Sequence, residues 1–333
     1  MALHPDLAAF LELVEFGRLT GRSLPMHAMD VAQARAEFAG SSQVLDPSPP
    51  GNLTVSELQL TARDGASLAA RLYRQGDGGD ALQPVIFYLH GGGYVVGSLD
   101  SHDSVCRRLA ALGEFAVLAP DYRLAPEQQF PVALHDVLDV ANWLAEQATA
   151  LGLDSRRVVL AGDSVGASLA AVMAITAVEQ PEALAFKPLA QLLFYPVTDI
   201  SCQRDSHREH AEGYLLETPT LEWFYQHYAP LPAQRLDWRV SPLLSTLRTP
   251  LAPAYLFVAE YDPLHDEGIA YRDWLLAGGT AVSFARVEGL THDFLRMSGI
   301  VGQVEGLYRD VGEWLKVVDG QSWRGCQKFC VRA

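Results

Sequence analysis

The thirteen residues Val158-Val-Leu-Ala-Gly-Asp-Ser-Val-Gly-Ala-Ser-Leu-Ala170 decide how the rest of the chain reads. The apolar run Val158–Ala161 has the length of a buried strand, and the small residues from Ala167 onward suit a closely packed helix. Between them, Gly162-Asp163-Ser164-Val165-Gly166 fits the G-x-S-x-G pattern in the strand-turn-helix setting that the pattern requires. A serine at its centre is expected on a tight, strained turn that lifts its hydroxyl clear of the sheet. Side chains in place of Gly162 and Gly166 would collide with neighbouring backbone. The following helix would aim its positive end and free N–H groups at the same point. Ser164 is therefore the candidate nucleophile.

Working outward, further short apolar runs suit buried parallel strands: Val85–Leu89, Phe115–Ala119, Leu189–Tyr195, Tyr255–Ala259 and Val282–Val287. Helical patterns separate most of them, at Ser104–Leu112, Val132–Ala150, Ala167–Val178, Ile269–Ala277 and Val301–Val317. This alternation predicts an α/β fold with a mostly parallel sheet flanked by helices. Leu53–Thr61 and Ser67–Tyr73 read as a β-hairpin around Arg63-Asp64-Gly65. Ahead of it, Leu7, Phe10, Leu11, Val14 and then Val31, Ala34, Phe38 are spaced as two amphipathic helices. About 60 residues separate Tyr195 from Tyr255, too many for a simple crossover. Their aromatics (Tyr214, Trp223, Phe224, Tyr225, Tyr228) suggest inserted cap helices, with packing onto the body as the competing reading.

A serine hydroxyl needs a base at neutral pH. His292, in Gly289-Leu-Thr-His-Asp-Phe294, lies on a loop after the last predicted strand, where open α/β sheets gather reactive groups. The other histidines lack that setting; His207 and His210 are three apart, but no carboxylate or cysteine pattern completes a metal site. Asp262 follows Tyr255–Ala259 closely, with Pro263 stiffening its turn, and is the candidate orienting acid. Asp266 is the fallback, although it and Glu267 suit the start of the next helix. The chain order Ser, Asp, His is that of α/β hydrolases and differs from both common serine-protease orders. His90-Gly91-Gly92-Gly93-Tyr94 follows Val85–Leu89 and exposes backbone N–H groups. Gly91 and Gly92, with Val165, are the candidate oxyanion donors. A phosphate loop is disfavoured because the Lys-Ser/Thr ending is missing. Tyr94, Asp163 and Tyr195, which adjoin these motifs, are candidate substrate-pocket residues.

The segments HGGGYVVGSLDSHD, DYRLAPEQQFPVALHD, GDSVGASLA, YDPLHDEG and GLTHDF together resemble the hormone-sensitive-lipase family, the bacterial group IV carboxylesterases. The resemblance implies an α/β-hydrolase fold: an eight-stranded, mostly parallel sheet with an antiparallel second strand. It also implies a helical cap built from residues 1–45 and an insertion at about 200–240 of a 46–320 catalytic domain. Ser164, Asp262 and His292 match the triad positions, and Gly91 and Gly92 match the oxyanion positions. Val165 departs from the usual alanine, and Asp163 resembles the subgroup with an acid before the serine. The implied activity is hydrolysis of short- to medium-chain acyl esters with no metal or cofactor. Amide or lactone cleavage is the nearest alternative. A ligand receptor with a decayed triad is the reading from another class, and His292 in its motif argues against it.

The chain of 333 residues is 49% hydrophobic, ample for a large core, and carries a formal net charge of −15. That acidity argues against nucleic-acid partners, since phosphate binding needs a basic face. No secretory signal pattern opens the chain, and no run approaches the about 18 apolar residues of a membrane span. A cytoplasmic enzyme acting on a small-molecule ester, away from membranes and as monomer or homodimer, is expected. Cys106, Cys202, Cys326 and Cys330 are expected as free thiols, and residues 321–333 read as a dispensable tail.

Overall fold

The computed structural model describes residues 2–76 and 81–320; the tail, with Cys326 and Cys330, lies outside them. In chain order the elements are α1 (Pro5–Leu19), α2 (Val31–Leu45), β1 (Thr54–Thr61), β2 (Ser67–Arg74), β3 (Gln83–Leu89), α3 (Asp103–Ala110), β4 (Ala116–Pro120), α4 (Val132–Gln147), β5 (Leu153–Asp163), α5 (Val165–Glu179) and β6 (Ala190–Phe194). There follow α6 (Asp205–Glu209), α7 (Thr218–Tyr228), α8 (Pro232–Arg235), β7 (Ala254–Tyr261), α9 (His265–Ala277), β8 (Val282–Thr291) and α10 (Val304–Val318).

The strands form one eight-stranded sheet in the order β1-β2-β4-β3-β5-β6-β7-β8. Only β2 runs against the rest, pairing antiparallel with both β1 and β4. Alternation along each strand sends side chains to opposite faces. Val85, Phe87 and Leu89 join one buried cluster with α4, α5 and α9, whereas Ile86 and Tyr88 join another with α3 and α10. Apolar residues on both faces explain why these strands read as continuous hydrophobic runs.

Two runs extend further than their apolar cores. β5 spans Leu153–Asp163 and β8 continues to Thr291, so the two strands run directly into Ser164 and His292. The helix expected at Val132–Ala150 stops at Gln147. The long interval after β6 holds three helices, with α7 carrying Trp223, Phe224, Tyr225 and Tyr228.

The N-terminal helices are seated on the loops at the carboxyl end of the sheet. A capping box starts α2: the Gln33 N–H donates to Asp30 Oδ1 at 2.8 Å and the Asp30 N–H to Gln33 Oε1 at 3.3 Å. Arg35 pairs with Glu127 through two N–H donors and also donates to the Val95 and Ala125 carbonyls. The Gly299 N–H donates to the Leu45 carbonyl at 2.8 Å. α1 is tied on by the His4 N–H, which donates to the Gly289 carbonyl just before β8 ends. Cys106 is buried and Cys202 exposed, both as free thiols. No helix among the described residues is long and apolar enough to cross a membrane.

Candidate active site

Four strand ends converge here. Ser164 sits between β5 and α5 with φ 53° and ψ −122°, a conformation that costs a non-glycine residue about 1–3 kcal/mol. Its neighbours hold it there. The Ser164 N–H donates to the Phe194 carbonyl of β6 at 2.9 Å, and its carbonyl accepts from the Ser168 and Val197 N–H groups. A methyl at Gly166 would lie 2.0 Å from the Leu89 carbonyl oxygen, and one at Gly162 would lie 2.5 Å from the Gly166 carbonyl carbon. These contacts explain both glycines of the pattern by sterics alone.

β7 delivers Asp262 and β8 delivers His292. The His292 Nδ1–H donates to Asp262 Oδ2 at 2.8 Å, and Asp262 Oδ1 accepts the Leu264 N–H at 2.9 Å. Both side chains are buried. Asp266, the fallback acid, is occupied elsewhere: its Oδ2 accepts the Ser206 N–H at 2.9 Å in the first turn of α9. Burial alone would lower the His292 pKa. The Asp262 charge and hydrogen bond, helped by Asp293 and Asp163, outweigh burial and raise it.

Asp163 is buried, yet it remains ionised. Burial works against the carboxylate, but His102, the Tyr88 hydrogen bond and the Arg296 charge hold its pKa down at about 2. Its Oδ1 accepts from Tyr88 Oη at 2.5 Å and from the Gly91 N–H at 3.0 Å. His102 Nε2 lies 3.4 Å from Oδ2. The Gly91 hydrogen bond corrects one expectation: that N–H is already taken by Asp163, and Gly91 is not among the residues lining the cavity. Gly92 and Gly93 do line it, and no described residue accepts their N–H groups. A side chain at Gly93 would meet the Phe224 ring of α7 at 2.1 Å, so this backbone passes directly beneath α7. Val165 opens α5, where first-turn N–H groups have no intrahelical acceptor. His90 is an anchor: it stacks on Tyr122 at 4.2 Å, and burial with nearby His102 pushes its pKa down to about 3.

Ser164, Val165, His292, Gly92 and Gly93 all open onto one cavity of about 370 Å³. Its walls are largely apolar and come from α1 (Phe10, Val14), α2 (Phe38) and α7 (Leu221, Phe224, Tyr225). Two further expectations need correction. Tyr94 does not line the cavity, because its ring stacks on Tyr228 at 3.6 Å and is buried there. Tyr195 does not line it either; its ring packs against His292 at 4.5 Å and Phe294 at 4.8 Å, supporting the histidine from behind. Asp163 borders the cavity, but its carboxylate is spent on Gly91 and Tyr88. Gly93 was legible as the third glycine of a triplet; Arg296, a buried wall residue discussed below, carried no motif signal.

Comparison with known proteins places the chain in a family. A family model described as "alpha/beta hydrolase fold" matches residues 86–296. An ethyl acetate hydrolase of Pseudomonas putida is 50% identical over 309 residues, covering 92% of this chain and 96% of its own length. The carboxylic ester hydrolase LipN of Mycobacterium tuberculosis is 36% identical over 276 residues, covering 82% of this chain and 72% of its own. Among solved structures, a hyperthermophilic esterase from the archaeon Pyrobaculum calidifontis superposes with a TM-score of 0.87 at 35% identity, covering 96% of this chain and 99% of that one. The chain therefore belongs to the α/β-hydrolase fold family, within its hormone-sensitive-lipase-like carboxylic ester hydrolases.

Proposed function

We propose that the protein hydrolyses carboxylic esters with short to medium acyl chains through an acyl-enzyme on Ser164. The 2.8 Å bond from His292 Nδ1 to Asp262 carries the reading, because it leaves Nε2 of the same ring as a proton acceptor. His292 takes the Ser164 proton as Oγ attacks the ester carbonyl. The N–H groups of Gly92, Gly93 and Val165 receive the negative charge that develops on the carbonyl oxygen. As the tetrahedral adduct collapses, the C–O bond to the alcohol breaks and His292 returns the proton to the leaving oxygen. Water then enters, gives its proton to His292 and attacks the acyl-enzyme; collapse releases the acid and restores Ser164. Asp262 keeps the proton of neutral His292 on Nδ1 and stabilises the imidazolium formed in each step.

The substrate range rests on the cavity. Its about 370 Å³ suits small to medium esters, and the similar protein from P. putida is named for hydrolysis of ethyl acetate. Residues 1–45 and the insertion at about 200–240 act as the cap, consistent with the walls they contribute. The same reading has the enzyme working in the cytoplasm, as a monomer or a homodimer; fractionation and light scattering test these points.

Ser164→Ala should abolish both p-nitrophenyl ester hydrolysis and fluorophosphonate labelling. Retention of either activity refutes the nucleophile. A p-nitrophenyl ester series should peak at short or medium chains, and a steady rise toward long chains refutes the substrate range.

A further inference from the structure

Arg296 lies four residues after His292 and is 1% exposed, a guanidinium buried at the wall of the catalytic cavity. Its Nη1 donates to Asp293 Oδ2 at 2.7 Å. Asp293 follows His292 directly and adopts φ 67°, the left-handed region that non-glycine residues enter only when held. The other arm of the guanidinium reaches out of the catalytic body. Nη2 donates to Ser42 Oγ at 2.6 Å, with longer contacts to Ser41 Oγ and the Phe38 carbonyl, all on α2. The Phe38 ring packs 4.1 Å from the guanidinium carbon. One rigid planar group thus bridges the loop bearing His292 and a helix that lies wholly outside the sheet.

We propose that Arg296 is a positioning residue that makes productive placement of His292 conditional on the seating of α2. The inference rests on the role proposed above for His292. A bridge needs both arms, and the planar fork of arginine supplies them; a lysine ammonium could reach Asp293 or Ser42 but would not span the two. With α2 displaced, the Arg296 guanidinium loses the acceptors that fix it, Asp293 is left with a mobile partner and relaxes from the left-handed region, and the adjacent imidazole turns with it. α2 also supplies Phe38 to the cavity wall, so the same movement that opens the pocket disables the base. The N-terminal segment thereby couples pocket closure to the chemistry.

The test compares Arg296→Lys, Arg296→Met, Ser42→Ala and the Ser42→Ala/Arg296→Lys double variant in the full chain. Thermal melting, kcat and KM on p-nitrophenyl acetate, and the fluorophosphonate labelling rate are measured for each. Wild-type labelling must be present first; its absence would sink the proposed function itself and not the bridge. Both Arg296 variants should lose about tenfold or more in kcat and labelling rate, with KM within about twofold. Ser42→Ala, which leaves the His292 loop untouched, should lose about threefold to tenfold in kcat. The double variant should be no slower than Arg296→Lys alone, because the bridge is already broken. Full kcat in Arg296→Lys, or kcat within twofold in Ser42→Ala, overturns the proposal. So does a lowered melting temperature with unchanged kcat, the mark of a brace with no part in placing His292. Should the Arg296 variants fail to fold, Ser42→Ala alone decides.

Discussion

Asp262→Asn tests the site at its most constrained bond. Asp262 Oδ1 accepts the Leu264 N–H at 2.9 Å, while Oδ2 accepts from His292 Nδ1 at 2.8 Å. An asparagine must present one oxygen and one NH2 to these two donors. Keeping its oxygen on Leu264 turns the NH2 toward His292, which then protonates Nε2 and leaves Nδ1 to accept. That tautomer cannot take a proton from Ser164, and trapping the wrong tautomer costs about ten-thousandfold, or ~5.4 kcal/mol of barrier. The flipped amide restores the correct tautomer but opposes NH2 to a buried N–H, at about 3 kcal/mol. That cost caps the competent fraction near one in a hundred. The expected loss in kcat therefore lies between about a hundredfold and ten-thousandfold. Asp262→Ala imposes no tautomer and should be the more active of the two variants. Asp266→Asn should stay near wild type, since its carboxylate serves Ser206. Steady-state hydrolysis of p-nitrophenyl acetate, with circular dichroism to verify folding, measures all three. A loss under about tenfold in Asp262→Asn, or an Asn variant at least as active as the Ala variant, refutes the tautomer argument.

The same geometry sets four further outcomes. Because the His292 pKa is raised, kcat/KM should climb with pH through a midpoint above the ordinary value of about 6.5, and Asp262→Ala should move that midpoint down; a pH–rate profile reads both. The stability that His292 contributes has the opposite sense: it is fully present below about 6.5 and lost as pH rises through the raised value, so melting temperature and activity should diverge across that window. Gly166→Ala drives a methyl to 2.0 Å from the Leu89 carbonyl and should destabilise by about 3 kcal/mol or more, read as a lowered denaturant midpoint. Asp163→Ala frees the Gly91 N–H and unpins the glycine loop; kcat should fall about tenfold to a hundredfold while fluorophosphonate labelling still occurs, and unchanged kcat would show that the loop holds itself.

Most of the architecture was legible because parallel strands buried on both faces advertise themselves as short apolar runs. Ser164 was legible because the elbow demands glycine at two fixed offsets, and the structure shows backbone atoms occupying the space that a side chain would need. Asp262 and His292 could be picked from several acids and histidines because they directly follow strands. The exceptions share a cause. Tyr94 and Tyr195 adjoin the right motifs, but each backbone adopts positive φ, at 62° and 36°. Their rings are consequently found against Tyr228 and behind His292. Proximity in sequence said nothing about that direction.

Gly91 shows what a local pattern leaves out. In the triplet Gly91-Gly92-Gly93 all three amides look equivalent, and nothing in those residues selects a pair. The selection comes from Asp163, 72 positions downstream in the elbow itself. Its carboxylate accepts one amide and holds the loop so that the next two line the cavity. An ionised group 2% exposed beside an anion-stabilising site would oppose the chemistry unless its charge were answered. Here His102, the Tyr88 hydroxyl and the Arg296 charge answer it and hold the carboxyl at about 2, and the Gly91 amide adds a hydrogen bond. The acid before the serine is therefore a device for aiming backbone, and Arg296 serves it while also holding Asp293. The same buried guanidinium, bonded to Asp293 on one side and to Ser42 of α2 on the other, sits between the N-terminal helices and the loop of His292. On the proposal above, the N-terminal helices do more than contribute walls to the cavity: through Arg296 they hold the proposed base in place.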